Sequence, residues 1–141
     1  MAETELGTEI DRSTVRRLPP RRYRVAAALA VAAVLTVGSL VPTGGSLSIS
    51  GPLGLLGADK WLHGIAYAGL AGTTAFALVE DVRVDVRLAA RTGAGAVAYG
   101  VGMELLQAAL PYRTFSLADA AANCVGAAVG VALALLVLRA L

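Results

Sequence analysis

Apolar and polar positions fall in long blocks along this chain. A polar start over residues 1–24 gives way to a charge-free run, Val25–Val41, rich in Ala, Val and Leu. Three more apolar runs follow, at about Trp61–Val79, Leu88–Leu110 and Leu117–Leu138. Each is close to the roughly 20 residues a helix needs to cross a bilayer. Pro42 closes the first run and Pro111 the third, as suits residues that cannot continue a helix. Asp59 is a candidate N-cap for the second run and Ser116 for the fourth. Residues 42–58 are rich in Gly, Ser and Pro and read as a loop without helix. In residues 80–91 the alternation V-R-V-D-V-R resembles a strand, but a charged connection between two spans fits better. The pattern predicts an all-α, polytopic membrane protein. Its four transmembrane helices form a compact bundle over residues 25–138, behind a disordered, basic cytoplasmic tail of residues 1–24.

Composition sharpens this picture. The 141 residues are 57% hydrophobic, with a mean hydropathy of +0.70, beyond the range of an ordinary soluble domain. Charge supplies orientation. With the N-terminus inside, Arg12, Arg16, Arg17, Arg21, Arg22, Arg24, Arg83, Arg87, Arg91 and Arg139 are cytoplasmic, and only Lys60 and Arg113 are outside. That asymmetry places both termini in the cytoplasm. The acidic start (Glu3, Glu5, Glu9, Asp11) argues against a short signal peptide, although Val25–Val41 is long enough for a signal core and cleavage stays an alternative. One cysteine, Cys124, and one histidine, His63, leave no disulfide framework, Cys/His zinc spacing or His-rich site, so no metal or cofactor is expected. No P-loop, G-x-S-x-G or basic-aromatic pattern points to nucleotide, acyl-transfer or nucleic-acid chemistry.

The candidate chemistry is the set of polar residues inside the apolar blocks, where ionisable groups are costly. Asp59, Lys60, His63 and Tyr67 open the second span. Glu104 and Gln107 lie near the end of the third, Arg113 and Ser116 in the turn, and Asp119 and Asn123 at the start of the fourth. In the four-span topology all of them reach the outer face. Asp59, His63 and Tyr67 share a helix face, as do Gly93, Gly100, Glu104 and Gln107, and Asp119, Asn123, Gly126 and Gly130. Glycine rows let helices approach closely, which turns these faces inward. His63 fits a general base or nucleophile, or a structural clamp on Glu104 or Asp119. Glu104 and Asp119 fit an acid/base pair, or counter-charges for Arg113 and Lys60. Lys60 and Arg113 suit a phosphate. Gln107 and Asn123 suit interhelical hydrogen bonds.

These residues spell D-K-x-x-H-x-x-x-Y, then E-x-x-Q, then R-x-x-S-x-x-D-x-x-x-N-x-x-G over about residues 25–138. In that form the chain resembles the VanZ-like membrane protein family, named for a member linked to teicoplanin resistance. Gly64 departs from the family pattern, which has an aromatic residue after the histidine. The resemblance implies a polytopic cell-membrane protein with a cell-envelope role. With the residue chemistry it leaves three readings open. The first is an outward-facing pocket that binds an anionic lipid or lipid-linked phosphate through Asp59, Lys60, Tyr67, Gln107, Arg113, Ser116 and Asn123. The second is a hydrolase or transferase on a lipid head group, with His63, Glu104 and Asp119 catalytic. The third is a structural cluster without ligand.

Overall fold

The computed structural model describes residues 18–42, 50–54, 56–80 and 86–140. Among them are four α-helices: α1 (Arg21–Leu40), α2 (Ala58–Leu78), α3 (Val86–Ala108) and α4 (Leu117–Ala140). The all-α expectation is met. Within it, α1 and α4 are long and apolar enough to cross a membrane. The other two are as long, at 21 and 23 residues, but carry Asp59, Lys60 and His63 in α2 and Arg87, Arg91, Glu104 and Gln107 in α3.

Several boundaries differ from the sequence reading. First, α1 starts at Arg21, so Arg21, Arg22 and Arg24 belong to its first turn and not to a disordered tail; residues 1–17 lie outside the described residues. Arg24 donates to the carbonyls of Phe76 and Val79 at the end of α2, and those otherwise orphaned acceptors draw it into the fold. Second, Asp59 does not cap α2. Gly57 holds the N-cap position, and Asp59 sits inside the first turn with its carboxylate on Lys60. Third, the loop before α2 contains a short 3-10 turn, Pro52–Gly54, closed by a bridge between Ser50 and Gly57. Gly54 has φ +67°, the left-handed region where a side chain is strained. Of the strand-like run 82–87, residues 82–85 lie outside the described set, and Val86 and Arg87 open α3, so the connection expected over residues 80–91 is helical from Val86 onward. Ser116 does cap α4: its hydroxyl accepts from the Asp119 N–H at 3.2 Å.

The helices alternate in direction. The α1 start meets the α2 end through Arg24, and the α1 end meets the end of α3 and the turn beyond it through Gln107, Tyr112 and Arg113. Consequently α2 and α4 run the same way, and they are the most closely packed pair. A Cβ added to Gly126 would strike the Gly64 carbonyl, and one added to Gly130 would strike that of Ala68. The interior is built of small residues such as Ala71, Ala96 and Ala127, with Val131. No residue of α1 is fully buried. Instead α1 docks through polar contacts. Tyr99 donates to the Ala32 carbonyl at 2.9 Å, and its hydroxyl also pairs with Thr36 at 2.6 Å.

Among the described residues, four polar side chains share the interior with an apolar core that includes Leu70, Met103 and Leu138, while many large aliphatic side chains lie on the surface. Thr92, Glu104, Gln107 and Asn123 are buried, whereas Leu29, Ile65, Leu105, Val125, Leu133 and Val137 are exposed.

Candidate functional site

The site forms where α2 and α4 begin and α3 ends. Asp59, Lys60 and His63 occupy the first turns of α2, and Asp119 and Asn123 those of α4, so both parallel helices present an i, i+4 pair at the same end. Acidic residues in a first helical turn also face the positive end of the helix dipole, which favours Asp59 and Asp119 there.

Lys60 is the hub. Its ammonium lies 2.5 Å from Asp59 Oδ2 and 2.5 Å from Asp119 Oδ1, bridging the two helices. Both groups on α2 precede the apolar run that begins at Trp61. The Asp119 and then the Asp59 carboxylate hold the lysine above its usual range, against the opposing effect of burial. The reciprocal hydrogen bond from Lys60 holds Asp59 below the usual carboxylate range. His63 Nδ1 faces Asn123 Oδ1 at 3.0 Å, and its Nε2 lies 3.9 Å from Asp119 Oδ2. Asn123 is 2% exposed, and its Nδ2 has no partner among the described residues.

Glu104 arrives from α3 and is 1% exposed. Its Oε2 accepts the Ser116 backbone N–H at 3.2 Å. Ser116 thus ties the end of α3 to the start of α4: its backbone N–H goes to Glu104, while its hydroxyl caps α4 at the Asp119 N–H. One ligand atom each from His63, Glu104 and Asp119 lie within 4.8 Å of one another.

The remaining expected residues sit elsewhere. Tyr67 is buried one turn deeper, its ring 6.1 Å from that of Tyr99 and against Gly100. The hydrogen bonds of Gln107 and Arg113 go to the Ser39 and Val41 carbonyls at 3.1 and 2.9 Å. With Tyr112 on Leu40, they satisfy the last acceptors of α1. Sequence reasoning missed this capping role, as it missed Arg24, Thr36 and Tyr99. The available signals were hydroxyls in apolar runs and a basic residue on the edge of one.

Below Lys60 an apolar groove of about 550 Å³ runs between α2 and α4, lined by Trp61, Ile65, Ala68, Ala121, Val125 and Val129 among others. Comparison with protein-family models, curated proteins and solved structures found no match.

Proposed function

We propose that the chain is a VanZ-like integral membrane protein in which all four helices span the bilayer. Both termini are cytoplasmic, and the polar site is extracytoplasmic. The site binds an anionic lipid or lipid-linked phosphate in a cell-envelope role. The exposed Leu, Val and Ile surface supports the membrane setting, because lipid removes the cost of leaving it uncovered. The ten-to-two distribution of basic residues supports the orientation. The observation that carries the ligand is the position of Lys60 at the loop end of an apolar groove, beside the starts of two parallel helices. An acyl or isoprenyl chain suits the groove. A phosphate suits an ammonium with three donors, two of which meet carboxylates. Asp59, with the more exposed carboxylate at 39%, is the partner that a phosphate would displace.

Native mass spectrometry of gently purified protein tests this. Wild type retains anionic lipid, and Lys60→Ala loses most of it. Arg113→Ala, whose guanidinium serves the α1 end, loses less. Equal retention by wild type and Lys60→Ala overturns the reading. The closeness of His63 Nε2 to the Asp119 carboxylate favours a second reading, a lipid head-group hydrolase or transferase with His63 as base or nucleophile and Glu104 or Asp119 as its partner. In that case His63→Ala keeps bound lipid but loses turnover of labelled lipid phosphates, and unchanged turnover removes the enzyme reading.

A further inference from the structure

We infer that His63, Glu104 and Asp119 form a binding site for one divalent cation of the zinc or manganese type. The inference goes beyond lipid recognition and does not depend on it. It also revises the expectation, drawn from a single histidine, that the chain holds no metal: one imidazole with two carboxylates from three helices is a sufficient donor set.

The first observation is convergence. Three ligand atoms from α2, α3 and α4 lie within 4.8 Å of one another. Zinc bonds to such atoms of roughly 2.0–2.2 Å need the side chains to draw in by less than about 1 Å each.

The second observation is how each ligand is held from behind. As the Asn123 amide is placed, Oδ1 is an acceptor for His63 Nδ1; in the neutral ring this puts the proton on Nδ1 and leaves Nε2 with its lone pair. That lone pair faces Asp119 Oδ2 at 3.9 Å. Lys60 takes the other Asp119 oxygen, Oδ1, and the Ser116 N–H takes Oε2 of Glu104. Each ligand therefore has an outer partner that fixes its orientation. Outer hydrogen bonds of this kind accompany metal-binding histidines and carboxylates.

The third observation is charge. Glu104 is 1% exposed, and among the described residues no Lys, Arg or His lies within 4.0 Å of its carboxylate. The nearby Lys60 is shared between Asp59 and Asp119. A buried carboxylate calls for a counter-charge. A divalent cation between Nε2 and the two carboxylates supplies it, and its positive charge also removes the electrostatic obstacle that three acidic side chains pose to an anionic ligand.

The test uses full-length protein in detergent, stripped with chelator and re-equilibrated with Zn²⁺ or Mn²⁺ alone. Metal content is read by plasma mass spectrometry and affinity by calorimetry. Cys124→Ser serves as the background, because the exposed Cys124 thiol could take up zinc by itself. The expected result is one bound ion per chain and a raised thermal midpoint. Both are lost in Glu104→Gln, which keeps size and shape, and in His63→Gln, and both are kept in Asp59→Asn. Asn123→Ala retains the site but weakens it by roughly 10–100-fold. Circular dichroism of the stripped variants identifies any that fail to fold, in which case the remaining variant decides. Metal content in Glu104→Gln or His63→Gln equal to the background overturns the inference. So does a stripped background protein that folds yet binds neither ion.

Discussion

Arg24 and Arg113 show one physical rule at work at opposite ends of the bundle. The last carbonyls of a helix lack partners within it, and the helix dipole makes that end attractive to a cation. Arg24 supplies the cation for α2, across 52 and 55 residues of sequence, and Arg113 supplies it for α1. Arg24→Ala should cost about 1.5–3 kcal/mol, the range for hydrogen bonds to charged groups. Equilibrium unfolding in mixed micelles measures it, and a loss below the error of that titration would show that the arginine acts only on orientation. The candidate residues were legible in the sequence as a set, because polar groups in apolar blocks are conspicuous. Their assignments were less so. Lys60 and Arg113 both read as phosphate ligands, yet Lys60 joins two aspartates at the site while Arg113 serves a helix end. Which acceptor a flexible cation finds depends on neighbours that spacing does not reveal.

At the level of helices, the Gly126 and Gly130 pair sets the closest contact. These residues lie on the face of α4 that meets the α2 backbone at Gly64 and Ala68, which brings Asp119 and Asn123, in the turns before Gly126, against Lys60 and His63, just before Gly64. Gly126→Val forces backbone to move, since the obstacle is a carbonyl and not a flexible side chain. It should destabilise the bundle by about 1–3 kcal/mol or more and should also reduce lipid retention. Gly102→Ala is the matched control. Its Cβ meets nothing, so it should be neutral or stabilising by up to about 1 kcal/mol through helix propensity. Equal midpoints for Gly126→Val and wild type in thermal melts would dismiss the close-packing account. Helix existence and rough extent were readable from the apolar runs. The starts of α1, α2 and α3 were not, because polar first turns such as Arg21–Arg24 look like tail or loop until their partners are known.

For the whole molecule, the buried polar cluster and the exposed aliphatic surface belong together: each is costly in water, and each is accommodated when the solvent is lipid. The proposed topology predicts sidedness. In a Cys124→Ser background, Tyr112→Cys should react with an impermeant maleimide on intact cells, and Glu80→Cys only after permeabilisation. The reverse pattern would invert the orientation and move the polar site to the cytoplasmic face. The alternation of helix directions is independent of that experiment, because hydrogen bonds already tie the ends together.

The sequence alone determined the helical class, the four apolar segments and the residues available for chemistry. Hydropathy and helical periodicity are properties of local sequence, so a single chain displays them. Tertiary structure alone decided that His63, Glu104 and Asp119 converge while Gln107 and Arg113 turn to α1. Convergence depends on the axial offset and rotation of neighbouring helices. Those are fixed by contacts such as Gly126 on Gly64, between residues far apart along the chain.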